Sequence, residues 1–272
     1  MNFNRPSSLS FLPPVVKNLI IINGLFFVAS LIAESKFALD LSDLLGMHFP
    51  GSDKFQFFQV ITYMFMHGGF QHLFFNMLAV WMFGSVLENH WGSKRFLIFY
   101  IITGIGAAFT HYIVLYFEQI SPMLHAVDNY LAKPDLNAFK DFVIAQRINP
   151  LIITEVNNLA NTGSISEAIT LSTEYANMYR SEALNAPNVV GASGSVFGLL
   201  LAYGMLFPNQ IIYLYFAIPI KAKYFVMLYG AIELYSGLSG AQSGIAHFAH
   251  LGGMLFGFIL IKLWNANRND FY

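Results

Sequence analysis

Apolar residues in this chain come in long blocks, not in the alternating or three-to-four spacing of a soluble domain, and a helix that crosses a bilayer needs about 20 of them. Blocks at Leu19 to Ala33, Phe96 to Phe117, Val189 to Phe207, Tyr224 to Ser236 and Ile245 to Trp264 each predict one span. The run from Phe55 to Leu87 holds no Asp, Glu, Lys or Arg and is too long for a single span. His67-Gly68-Gly69 should break it. Its second half, Phe70 to Glu88, is then a helix, and its first half lies at the membrane interface or dips partly inward. The expected fold class is an all-α membrane protein, a bundle of six transmembrane helices in a single domain over residues 1–272.

Between Glu118 and Pro187 the pattern changes to short amphipathic segments with eight carboxylates against four Lys or Arg. This segment, 118–187, is expected to be a helical insertion outside the membrane, between the third and fourth spans. Asp135 can cap a helix over Leu136 to Ala145, and Ser164-Ile165-Ser166-Glu167 has capping-box spacing ahead of another.

Positive charge in short segments near helix ends sets orientation. With six spans, Arg5, Lys17, Lys94, Arg95, Lys221, Lys223, Lys262 and Arg268 all fall on one side, which is then cytoplasmic and holds both termini. The region around Lys54, the insertion and the loop Gly237 to Gly244 are outside. The polar N-terminus breaks at Pro13-Pro14 and has no small-x-small cleavage pattern, so the first span is expected to be retained.

Composition agrees with the membrane reading: 56% of residues are apolar, 11% are charged, and mean hydropathy is +0.54. A net charge of -1 gives no field to attract nucleic acid. The absence of cysteine removes disulfides, thiolate nucleophiles and Cys-based metal sites.

Polar groups inside a membrane are costly and tend to be functional. Gly191-Ala192-Ser193-Gly194-Ser195 opens the fourth helix, where free N–H groups favour developing negative charge. The same segment can be read as packing, since Gly194, Gly198 and Ala202 repeat every four residues. It is not a G-x-S-x-G elbow, because Ser195 stands at the fifth position. His250 shares a helix face with Gly253 and Gly257. If that face meets the glycines of the fourth helix, His250 reaches Ser193 as a general base; otherwise it is a hydrogen-bonded structural histidine, as His247 is expected to be. His72 and Asn76, one turn apart, can aim donors at a single point, as an oxyanion hole requires, or can clamp two helices together. His67 is read as folding the preceding loop. No metal or cofactor is expected: there is no H-E-x-x-H, and Glu88 stands about 24 Å along the helix from His72. With Glu88 at the cytoplasmic end and the facing of Glu233 unread, the chemistry is expected to be a dyad with no catalytic carboxylate.

Taken together, Gly191-x-Ser193-Gly194, His67-Gly68-Gly69-x-x-His72-x-x-x-Asn76, Gly84-x-x-x-Glu88 and Ala249-His250-x-x-Gly253-x-x-x-Gly257 resemble the rhomboid proteases from Phe55 to Trp264, apart from the insertion. The resemblance implies a six-helix intramembrane serine endopeptidase of the bacterial cytoplasmic membrane. Ser193 would attack a peptide bond of a transmembrane protein substrate within the lipid bilayer. His250 would activate it, and His72, Asn76 and the Ser193 backbone would hold the oxyanion. It also implies that the fifth helix and the loop before the sixth admit the substrate. The alternative is a catalytically inactive rhomboid-like protein that binds transmembrane clients. Three departures stand out: Phe58-Gln59 replaces the usual Trp-Arg, Phe197 stands where many members have tyrosine, and the insertion of about 70 residues leads straight into Ser193.

Overall fold

The computed structural model describes residues 10–214, 217–239 and 246–269. Arg5, the first part of the polar N-terminus and Gly240 to Ile245 lie outside the described residues. The chain divides into two compact units, Met1–Met47 with Gln56–Tyr112 and Asn188–Tyr272, and His48–Phe55 with Ile113–Pro187.

In the first unit, helix α1 (Pro14–Phe37) begins five residues before the expected apolar block. Pro14 occupies its first turn, where a missing N–H costs nothing. Glu88 completes that end, accepting the Val15 and Val16 N–H groups at 3.0 and 2.8 Å and the Ser93 hydroxyl at 2.5 Å. Two short helices follow, α2 (Leu41–Leu45) and α3 (Gln59–Thr62), the latter running into a 3₁₀ turn at Tyr63–Phe65. The chain breaks at Gly68-Gly69, as the sequence predicts. Helix α4 (Phe70–Ala79) then passes through a wide π turn at Val80–Gly84 into α5 (Ser85–Trp91).

Helix α6 (Ser93–Leu115) does not stop near Phe117. A second π turn at Tyr116–Ile120 carries it into α7 (Ser121–Ala132), giving 40 continuous helical residues. The widened turn ends two residues before Pro122, which has no N–H to give and whose ring clashes with the carbonyl four residues back in a regular ladder, that of Glu118 inside the turn.

The second unit holds α7 together with α8 (Leu136–Ala145), α9 (Leu151–Asn161) and α10 (Ile165–Asn185). Their amphipathic faces close on a core of Val127, Tyr130, Phe139, Phe142, Val143 and Val156. Asp135 caps α8 as expected, accepting from the Asn137 and Ala138 N–H groups at 2.8 and 2.9 Å. The predicted capping box at Ser164 does not form: α10 starts there, but the Ser164 side chain makes no cap hydrogen bond.

Back in the first unit, α11 (Ser193–Leu206) starts at Ser193 and not at Val189. The residues before it are held away from helical geometry by Gly191, whose φ of 123° favours glycine and whose N–H bonds the Tyr63 carbonyl at 2.8 Å. An antiparallel hairpin pairing Ile211–Leu214 with Ile218–Lys221 leads to α12 (Ala222–Leu238), and α13 (His247–Asn269) is the last described element.

Among the described residues, four helical stretches are long and apolar enough to cross a membrane: Pro14–Phe37, Phe70–Trp91, Ser93–Ala132 and His247–Asn265. Helix α11 is apolar but has only 14 residues, and α12 has 17. Many large apolar side chains face outward, among them Leu25, Phe75 and Leu238 at 64–70% exposure, a surface suited to lipid as solvent. The fold is that of an integral, multi-pass helical membrane protein.

Candidate active site

Helices α11 and α13 approach through glycine. A Cβ on Gly253 would stand 1.9 Å from the Gly194 carbonyl oxygen, and one on Gly257 3.4 Å from the Gly198 backbone. This is the contact the two glycine-bearing faces predict, and it lets the backbones touch as small residues do between membrane helices.

Gly194 follows Ser193, and Gly253 lies one turn after His250, so the same contact sets the distance between serine and histidine. Ser193 Oγ and His250 Nε2 are 2.9 Å apart. Phe197, one turn along α11, stacks on the His250 ring at 4.1 Å and 7°. The ring alone supplies that packing, and the tyrosine hydroxyl is not needed for it. Ser195, the other hydroxyl of the motif, points away and donates to the Tyr100 carbonyl at 2.7 Å.

Ser193 and His250 line a cavity of about 750 Å³ together with His72, Asn76, His111, Gly191, Tyr229 and Glu233. His72 Nδ1 accepts a long hydrogen bond, 3.4 Å, from the Gly68 N–H, which leaves the ring proton on Nε2. That edge lies against Gly191: a Cβ there would be 2.8 Å from Nε2. Asn76 is 5% exposed, and its Nδ2 has no hydrogen-bond partner among the described residues. Both side chains line the cavity that holds Ser193. His67 packs edge-on to His72 with centroids 5.0 Å apart.

The surroundings of His250 differ from the expected dyad in one respect. Glu233 on α12 is buried, and its Oε2 stands 2.6 Å from His247 Nδ1 and 3.0 Å from His250 Nδ1. The first contact is a hydrogen bond; the second is at ion-pair distance but off the line of one. A carboxylate is thus present at the histidine, and His247 is its partner. These three residues bring metal-ligating atoms within 4.8 Å of one another, a closeness that the carboxylate oxygen shared between two ring nitrogens already accounts for.

Sequence reasoning left Glu233 unplaced and did not single out His111. The available signal was the cost of an ionisable group in an apolar helix, which applies to both.

A helical membrane protein with a serine and a histidine in hydrogen-bond contact across two helices is the class that fold and site define. The Rhomboid domain family model matches residues 54–124 and 157–265, and the chain belongs to the rhomboid family. The match omits 125–156, within the segment expected to be an insertion.

Among curated relatives, rhomboid protease GluP of Bacillus subtilis is 34% identical over 58 residues, which is 21% of this chain and 11% of that protein. The putative rhomboid protease YdcA of the same organism is 38% identical over 50 residues, 18% of this chain and 25% of that protein. An uncharacterized mitochondrial rhomboid protein of Schizosaccharomyces pombe is 24% identical over 213 residues, 75% of this chain and 51% of that protein. The chain thus spans about half the length of these relatives or less.

Proposed function

We propose that this protein is an intramembrane serine endopeptidase that cuts transmembrane-anchored proteins near the extracytoplasmic side of the membrane. The observation that carries the reading is the 2.9 Å contact between Ser193 Oγ and His250 Nε2 at a shared cavity of the first unit.

In the acylation step His250 Nε2 takes the Ser193 hydroxyl proton as Oγ bonds to the substrate carbonyl carbon. The carbonyl oxygen becomes an oxyanion, met by His72 Nε2–H, Asn76 Nδ2 and the Ser193 backbone N–H at the start of α11. Collapse breaks the C–N bond, and His250 returns the proton to the leaving amine. Water then hydrolyses the acyl-enzyme by the same path.

The expected orientation, with the termini cytoplasmic and segment 118–187 outside a bacterial cytoplasmic membrane, rests on the Lys and Arg distribution. The six-span count adds α11 and α12 to the four long stretches; both are apolar and pack with α13. Access of a substrate helix beside α12, and selection by segment 118–187, belong to the same reading.

Reconstitution with a single-span reporter substrate tests it. The parent should cleave, and Ser193→Ala and His250→Ala should not. Undiminished cleavage by either variant overturns the assignment, and binding of the reporter without cleavage by the parent favours an inactive client-binding member.

A further inference from the structure

Glu233 has no role in a serine–histidine dyad, yet its carboxylate meets the catalytic pair from behind. We infer that Glu233 is a positioning residue for His250: its carboxylate, shared with His247, holds the His250 ring in the tautomer and orientation that present a lone pair to Ser193. The inference rests on the proteolytic reading of the site.

A neutral imidazole carries one proton. For Nε2 to accept from Ser193 that proton must sit on Nδ1, and in a buried site Nδ1–H needs an acceptor. Glu233 Oε2 is the carboxylate oxygen on that side of the ring, 3.0 Å from Nδ1 though off the hydrogen-bond line. The opposite tautomer would turn the Nδ1 lone pair toward the carboxylate, a repulsive arrangement. Once Nε2 has taken the serine proton, the imidazolium has its counter-ion in place.

Three contacts fix the ring from three sides: Ser193 on Nε2, Glu233 near Nδ1, and Phe197 across one face at 4.1 Å. The same oxygen stands 2.6 Å from His247 Nδ1, so the carboxylate meets two histidines on one helix.

The competing account is a clamp between α12 and α13 made by the Glu233–His247 pair alone, with His250 merely nearby. The two accounts differ in what His247 does. If Glu233 acts on His250, His247→Gln leaves a carboxylate for the base. If the pair is only a clamp, His247→Gln and Glu233→Gln are equivalent.

The test compares parent, Glu233→Gln, Glu233→Asp, His247→Gln and Ser193→Ala in liposomes with a single-span reporter. Kcat and KM are read together with the rate at which a fluorophosphonate labels Ser193, counted per monodisperse protein. Replacing the histidine-orienting carboxylate by an amide in soluble serine proteases lowers kcat by about 10⁴-fold. The off-line contact here sets the expectation for Glu233→Gln lower, a fall of about 10- to 100-fold in both kcat and labelling rate with KM within about twofold.

Glu233→Asp, which keeps the charge on a shorter stem, should retain more activity than Glu233→Gln, and His247→Gln should stay within about threefold of the parent. The inference is overturned by a Glu233→Gln enzyme with parental kcat, by a change confined to KM, or by equal losses in Glu233→Gln and His247→Gln. Cleavage that survives in Ser193→Ala removes the proteolytic reading and this inference with it. A parent that cleaves through Ser193 while Glu233→Gln matches it removes the inference alone.

Discussion

Gly253→Ala adds one methyl group where α13 crosses α11, and its effect can be worked out from the contact. The new Cβ would stand 1.9 Å from the Gly194 carbonyl oxygen and 2.7 Å from its carbon. Both are backbone atoms, and neither can turn aside as a flexible side chain would. Ordinary contact begins near 3.4 Å, so the helices must part locally by about 1.5 Å.

His250 lies one turn from the new methyl and Ser193 is the neighbour of Gly194, so most of that displacement falls on the 2.9 Å pair and takes it out of hydrogen-bond range. Overpacking of this kind costs about 1–3 kcal/mol in stability, whereas a misplacement of about 1 Å at reacting groups costs about 100-fold in rate. The expected result is a folded protein with a modestly lowered melting temperature in detergent. Its kcat and fluorophosphonate labelling should fall by about 100-fold. A Gly253→Ala protein that cleaves at the parental rate would show that the serine–histidine distance is not set by this crossing.

Other substitutions separate the parts of the molecule. Asn76→Ala removes a donor that has no other described partner and should lower kcat by about 100- to 1000-fold with little change in KM; parental kcat would remove Asn76 from the oxyanion site. Glu88→Ala leaves two backbone N–H groups of α1 and a serine hydroxyl without their acceptor. It should cost about 1–3 kcal/mol in detergent unfolding while activity per folded molecule holds. Asp135→Ala should cost about 1 kcal/mol and speed amide exchange at the start of α8 without altering Ser193 labelling. Slowed labelling would tie the cap to the chemistry.

Much of this was legible before any coordinates. The break at Gly68-Gly69 followed from two adjacent residues with no preference for helix, and the meeting of α11 and α13 followed from glycines spaced to share a face. Glu233 was not legible. Helix α12 is apolar on nearly every side, so its sequence has no phase from which to read which way one carboxylate points, and its partners belong to the next helix. The extension of α6 into α7 was missed for a different reason. Glu118 interrupts the apolar run, and hydropathy reports the solvent of a helix, not its end. The capping box at Ser164 had the right spacing, yet its serine makes no such bond, because spacing permits a cap without supplying the backbone angles for it.

The shortness of α11 has a consequence for which bonds can be cut. Its 14 residues rise about 21 Å, against a hydrocarbon core of about 30 Å. With its Pro208 end at the cytoplasmic face in the proposed orientation, Ser193 lies roughly 9 Å below the outer boundary. The protein fixes that depth from one side only, while membranes differ in thickness by several ångströms. In that orientation the helix would work as a ruler held against the inner leaflet. Thickening the bilayer should shift cleavage along a substrate helix even when neither sequence has changed.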